Sequence, residues 1–222
     1  MSRIGIFGGT FDPIHTGHVQ AADAAAAKFH LDQILFIPTG NPPHKRRSQL
    51  TPFPHRFAMV ALACARDQRF LPTILEAPTP EGRPHYSIAT VRKAKKLLGA
   101  KADLSFLLGT DAFLDLPHWK EYRRLLDLVN FIVVSRPGFS EAVISKVVPS
   151  ELLRPHRADL QGDTVHLRHS TLSILHGVEV PVASRAIREA VRGGRSVAGL
   201  VPPLVEQYIL KAGLYRPPEA RS

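Results

Sequence analysis

Apolar and polar positions alternate along this chain in blocks of two periods. Arg3–Phe7 is a short β-rich run that ends at Gly8-Gly9, and Gly17–Phe29 follows with Val19, Ala22, Ala26 and Phe29 at helical spacing. Gln33–Ile37 predicts a second strand, closed by Pro38. Pro54–Arg66 predicts a helix with Phe57, Val60, Ala61 and Cys64 on one stripe. The alternation then repeats: a strand over Phe70–Leu75, a helix over Ile88–Leu98, a strand over Leu104–Leu108, a helix over Tyr122–Leu126, and an all-apolar strand over Val129–Val134. Runs such as ILFIP and NFIVV lack the polar alternation of a half-exposed sheet, so both of their faces should be covered. Strand–helix alternation of this kind predicts an α/β fold, a doubly wound parallel sheet.

Between Ser140 and Val180 the pattern weakens to one strand near Thr164–Leu167. It recovers in a small C-terminal helical portion, Ser184–Arg192 and Pro202–Lys211, the latter with prolines at its start. Pro38–Pro54, Pro78–Pro84 and Pro149–Pro155 read as loops, and Arg216–Ser222 as a tail. One domain over residues 1–215 is expected, without repeats.

Composition narrows the class. Of 222 residues, 44% are hydrophobic and 22% charged, which is globular rather than disordered. No apolar run is long enough to span a bilayer, and MSRIGIFGGT is a strand running into glycines rather than a signal peptide. The single cysteine, Cys64, can make neither an internal disulfide nor a metal quartet, which suits a cytoplasmic protein. With 29 Lys and Arg against 19 Asp and Glu, the formal charge is +10. That charge fits a nucleic acid, a polyphosphate-bearing small ligand, or solubility alone.

The candidate chemistry lies in GGTFDPIHTGH, Gly8–His18, between a strand and a helix. It is neither G-x-G-x-x-G nor a Walker loop, so a dinucleotide dehydrogenase and a P-loop NTPase are both disfavoured. Gly8, Gly9 and Gly17 permit close approach of a ligand to the backbone. His15 and His18, three residues apart, can face one ligand from the first helical turn. Two imidazoles, glycines and a helix N-terminus together suit an anion. A helix N-terminus disfavours imidazolium, whereas a bound polyphosphate favours it.

These residues resemble the nucleotidyltransferase superfamily, and the longer string is similar to that of the bacterial nicotinate mononucleotide adenylyltransferases. PTGNPPHK (Pro38–Lys45), PHYSIAT (Pro84–Thr90), LLGTDAFLDLPHWK (Leu107–Lys120), VASRAIR (Val182–Arg188) and LVPPLVEQYILKAGLY (Leu200–Tyr215) extend the resemblance over nearly the whole chain. It implies a Rossmann-like nucleotidyltransferase fold and transfer of AMP from ATP to the 5′-phosphate of nicotinate mononucleotide, with Mg2+ carried mainly on the ATP phosphates. His18, His15 and Arg188 would be catalytic. Gly8, Gly9, Thr10, Phe11, Ser184 and Ile187 would join them around ATP, with Arg188 on the β- and γ-phosphates. Asn41, Lys45, Tyr86, Ser87, Asp111, Trp119 and Arg136 would hold the mononucleotide, Trp119 by stacking on its ring. The chain departs from the family at Ala183-Ser184-Arg185, where hydroxyls are usual and Arg185 offers charge instead, and at Ala89, where an acid is common.

The attacking phosphate oxygen is already ionised at neutral pH, so no general base is required and positioning with charge neutralisation suffices. Alternatives are preference for the amide mononucleotide or phosphopantetheine and, in another class, a nucleic-acid-binding protein using Arg92-Lys93-Ala94-Lys95-Lys96. The histidines at 156, 166, 169 and 176 lack the acid or thiol partners of a transition-metal site. The resemblance implies neither a nucleic-acid nor a membrane partner, and the pattern specifies no oligomeric state.

Overall fold

The computed structural model describes residues 1–43, 50–135, 141–154, 163–178 and 181–217. In chain order the elements are β1 (Ser2–Gly9), α1 (Thr16–Lys28), β2 (Gln33–Pro38), α2 (Phe53–Cys64), β3 (Phe70–Pro72), α3 (Ser87–Leu98), β4 (Ala102–Gly109), α4 (Thr110–Asp115) and α5 (Tyr122–Leu128). They continue as β5 (Asn130–Val134), α6 (Glu141–Val147), β6 (Thr164–His166), β7 (Thr171–Leu175), α7 (Ser184–Arg192) and α8 (Pro203–Lys211). The strands form one sheet in the order β3-β2-β1-β4-β5-β7-β6. Every pair is parallel except β6–β7 at one edge.

Strand alternation explains why both faces are apolar. On β2, Ile34 and Phe36 join a cluster with Val19, Ala22, Met59, Val60, Ile187 and Ile209 from α1, α2, α7 and α8. Leu35 and Ile37 point the other way, into a cluster with Val91, Phe113, Leu125 and Ile144 from α3 to α6. Each buried aliphatic or aromatic side chain contributes about 1.5–3 kcal/mol of transfer free energy. The small residues Ala22, Ala25 and Ala26 leave α1 room to sit against the sheet.

Chain order reverses direction across the sheet between β1 and β4, which opens a crevice at their carboxyl ends. That geometry follows from topology alone, and in open α/β sheets such a crevice is where ligands bind.

Four expectations need correction. The strand placed over Phe70–Leu75 stops at Pro72, an edge position where a missing N–H is tolerated. TLSIL, Thr171–Leu175, is a buried strand beside β5. Thr171 and Ser173 disguise it; they are satisfied by Asn130 and Thr164. Helices α4 and α6, six and seven residues long, are further elements that the sequence pattern did not predict. Within Pro149–Pro155, Ser150–Leu152 forms a 3-10 turn.

The basic segment on α3 is partly absorbed by the fold. Arg92 pairs with Glu121, Lys93 donates to the Leu75 carbonyl and Lys95 to the Leu128 carbonyl. Among the described residues, no helix is long and apolar enough to cross a membrane.

Candidate active site

A cleft of about 890 Å3 opens at the carboxyl ends of β1 and β4, large enough to enclose most of a dinucleotide. Its walls include Gly8, Gly9, Thr10, His15 and His18 on one side, Tyr86, Ser87 and Trp119 on another, and Ser184 at the start of α7.

The two histidines are placed by the start of α1. His15 is its N-cap residue and His18 lies three residues on. The His15 backbone N–H donates to His18 Nδ1 at 3.2 Å, the bond a Glu or Gln makes in a capping box. Since Nδ1 accepts, the neutral His18 ring carries its proton on Nε2, its one remaining donor. The two rings stack with centroids 3.6 Å apart, and Phe11 meets His18 edge-on at 5.0 Å. His15 Nδ1 is buried without a hydrogen-bond partner among the described residues.

Burial lowers the His15 pKa to about 4. His18 is held well below its usual value, first by burial and then by His15. The expected opposition to imidazolium is therefore present, but its leading cause is desolvation rather than the helix dipole. Both rings are neutral hydrogen-bond donors in the free protein at pH 7.

A linkage prediction follows from His15. It titrates near 6.5 when unfolded and near 4 when folded. The unfolded chain binds more protons between those values, so stability rises with pH across that window. The contribution is complete above about 6.5 and lost as pH falls through about 4. From pH 7 to 4 the native chain should lose on the order of 3 kcal/mol more than His15→Gln. Urea midpoints across this range check it; parallel curves for the two proteins would be incompatible with a depressed His15.

Behind the glycine-rich loop lies a polar network. Arg56, on α2, is 1% exposed, and its guanidinium donates to the carbonyls of Thr10, Thr39 and Thr51, each at 2.8 Å. Burial lowers its pKa while Asp12 and Tyr215 raise it. Asp12 is also buried, accepting from Tyr215 Oη at 2.7 Å and from the Thr51 N–H at 3.1 Å. The Asp12 carbonyl accepts from Arg188 Nη1 at 2.7 Å, and the Pro13 carbonyl from Ser184 Oγ at 2.9 Å. Thr16 Oγ1 donates to the Leu200 carbonyl at 3.0 Å, which ties the first turn of α1 to the C-terminal portion.

Across the cleft, Trp119 packs edge-on against Phe106 with centroids 6.1 Å apart. Its indole N–H donates to Asp115 Oδ2 at 3.2 Å, and His118 Nδ1 lies 3.1 Å from Asp115 Oδ1. Trp119 follows a 3-10 turn over Leu116–His118 rather than a plain loop. Lys120 Nζ sits 4.6 Å from the centroid of Tyr86. Glu76, 6% exposed, lines the same region and accepts from Thr90 Oγ1. Its carbonyl accepts from the Gly40 N–H at 2.8 Å. A Cβ on residue 40 would stand 2.2 Å from that carbonyl oxygen, so only glycine fits there.

Gly8, Gly9, Thr10, His15, His18, Ser184, Tyr86, Ser87 and Trp119 thus line one cleft. Other predicted residues stand apart from its lining. Phe11 is 2% exposed, with a left-handed φ of 48°, and its ring packs on Phe7 and His18. Ile187 is fully buried in the core. Arg188 is half-buried behind the loop rather than in the cleft wall. Asn41 donates from its side chain to the Gly82 carbonyl and from its backbone to His85 Nδ1, joining two loops. Asp111 is exposed in the first turn of α4. Arg185 is exposed and bound to Glu189 at 2.8 Å, so in this structure it does not take the place of the absent hydroxyls. Lys45 and Arg136 lie outside the described residues.

Sequence reasoning passed over Glu76 and Asp115, which line the cleft, and Arg56, Asp12 and Tyr215, which form the network behind its glycine-rich loop. Asp12, Asp115 and Tyr215 stand inside the family-like strings. Arg56 and Glu76 carry no local signal, because a cation on a helix and an acid in a loop read as solvated.

The chain matches the cytidylyltransferase-like family over residues 6–190. It is 39% identical over 217 residues to a Desulfotalea psychrophila protein named "Probable nicotinate-nucleotide adenylyltransferase", covering 97% of this chain and 100% of that one. A Thermus thermophilus protein of the same name is 39% identical over 215 residues, covering 96% and 100%. A solved structure of Plasmodium falciparum nicotinic acid mononucleotide adenylyltransferase complexed with NaAD aligns with a TM-score of 0.74 at 20% identity, covering 97% of this chain and 98% of that one.

Proposed function

This chain belongs to the cytidylyltransferase-like family, among the nicotinate-nucleotide adenylyltransferases, and on that premise we propose how its residues carry out the reaction. It transfers AMP from ATP to the 5′-phosphate of nicotinate mononucleotide, giving nicotinate adenine dinucleotide and pyrophosphate, a step in NAD biosynthesis. The observation that carries the assignment of roles is the stacked His15–His18 pair, with the free donor of His18 at Nε2, in the wall of a dinucleotide-sized cleft.

A phosphate oxygen of the mononucleotide attacks the α-phosphorus of ATP. The new O–P bond forms as the bond to the bridging oxygen breaks, and pyrophosphate leaves with the electron pair. His18 donates from Nε2 to a non-bridging α-oxygen, where negative charge grows, and His15 supports it from the adjacent ring. Burial makes that donor worth more than it would be in water. Gly8, Gly9 and Thr10 border the phosphates, and Ser184 stands at the start of α7. Arg188, behind the loop on the Asp12 carbonyl, is assigned to the β- and γ-phosphates through the family resemblance. Tyr86, Ser87 and Trp119 form the mononucleotide end, with Asn41 bracing its loops. Lys45, Asp111 and Arg136 remain assigned to the same substrate through the family resemblance.

Magnesium fits as an ion carried by ATP. Among the described residues no group of three or more His, Cys, Asp or Glu could cage a metal. Mg2+ that keeps its waters and phosphate oxygens needs no such cage. When bound it would neutralise phosphate charge, and no residue of this chain is assigned as its ligand. The ties made by Arg92, Lys93 and Lys95 support a structural role for that basic stretch rather than a nucleic-acid partner. A buried, unpaired Cys64, with its pKa pushed up to about 12 by burial, suits the cytoplasm.

Pyrophosphate release measured with each mononucleotide tests the activity. Turnover with nicotinate mononucleotide should exceed that with its amide. Equal efficiency would remove the acid preference, and no release with either would remove the enzymatic assignment.

A further inference from the structure

The last helix ends in a turn that aims one side chain at the back of the phosphate loop. Ala212 caps α8, and Gly213 follows with φ 62°. The Leu214 N–H donates to the Ile209 carbonyl at 3.0 Å, and the Gly213 N–H to the Leu210 carbonyl at 3.3 Å. This is the Schellman pattern, which needs a left-handed residue where glycine stands. The reversal packs Leu214 and Tyr215 against the α1–α2 side of the core. Tyr215 itself has a φ of 66°, unusual for a residue with a side chain.

We propose that Tyr215 is a positioning residue for the ATP half of the site, acting through Asp12. Tyr215 Oη donates to Asp12 Oδ1 at 2.7 Å, and the Thr51 N–H donates to Asp12 Oδ2 at 3.1 Å. Asp12 is 3% exposed, so water cannot replace the lost donor cheaply. The carbonyl of Asp12 holds Arg188, and that of the next residue holds Ser184. His15 follows two residues later. Rotation of the Asp12 unit therefore shifts Arg188, Ser184 and the start of α1 together. Trp119 and Tyr86, across the cleft, have no bond to this unit among those described.

The inference rests on the adenylyl-transfer assignment, and one binding experiment separates the two. Affinities for a non-hydrolysable ATP analogue and for nicotinate mononucleotide are measured by calorimetry on the wild-type chain and Tyr215→Phe. Steady-state KM and thermal midpoints are recorded alongside. Tyr215→Phe should weaken the analogue roughly tenfold and raise the KM for ATP in parallel, while leaving mononucleotide affinity within about twofold. In an Asp12→Ala background the same substitution should change neither, because the intermediary is already gone. Unchanged analogue affinity in Tyr215→Phe, equal losses for both substrates, or full additivity with Asp12→Ala would each overturn the proposal. A wild-type chain that fails to bind the analogue overturns the adenylyl-transfer assignment and this inference with it.

Discussion

His18→Ala should lower kcat by roughly 10²–10³, the loss seen when one pre-positioned donor to a developing oxyanion is removed. The reason lies in how the donor is prepared. His18 Nδ1 is occupied by the His15 N–H, so in the neutral ring Nε2 is the donor and does not have to be selected when substrate binds. The neighbouring ring at 3.6 Å limits movement of His18, and its T-shaped contact with Phe11 fixes the other side. The KM for ATP should change far less than kcat, because the contact strengthens as charge moves onto the α-phosphate oxygens. His18→Asn should retain part of the rate: its carbonyl can accept from the His15 N–H while its amide donates, although from a shorter side chain. Single-turnover measurement of pyrophosphate formation isolates the step. A His18→Ala enzyme working within a factor of a few of wild type would take His18 out of the transition state.

The largest effect on stability is expected at Arg56. Arg56→Ala removes the donor to three carbonyls, of Thr10, Thr39 and Thr51, at the ends of β1 and β2 and before α2. Each buried acceptor left unsatisfied costs about 1–3 kcal/mol, and the cavity adds to the loss. A total of about 3–6 kcal/mol is expected, a large fraction of the stability of a typical protein domain. Arg56→Lys should recover less than half of it, since one ammonium cannot reproduce the planar fork that serves three separate carbonyls. Urea unfolding monitored by circular dichroism checks both variants. A midpoint displaced by less than about 1 kcal/mol in Arg56→Ala would mean that other groups satisfy these carbonyls.

The two variants also mark the boundary between what was legible in the chain and what was not. His15 and His18 were visible because their signal is local: a strand, glycines, and two imidazoles one helical turn apart. Their stacking and depressed pKa values were not, because those depend on Phe11 and the surrounding core removing water. Arg56 had no local signal. On a helix surrounded by loop residues, an arginine reads as solvated, and only the docking of β1, β2 and α2 puts three carbonyl oxygens around it. Tyr215 shows the same limit. The sequence distance of 203 residues between its hydroxyl and Asp12 is closed only by the turn at Gly213. The missed strand Thr171–Leu175 has a related cause, since its polar members are satisfied by Asn130 and Thr164 on other strands.

The chain by itself determined an α/β alternation, a glycine-rich turn between strand and helix, and a histidine pair suited to phosphate, because each is written in periods and spacings of a few residues. Tertiary structure alone decided which polar groups lost their water, how the carboxyl-terminal turn reaches the loop, and where the cleft opens. Those outcomes come from elements far apart in sequence meeting at the carboxyl ends of the central strands β1 and β4, and burial exists only once they have met.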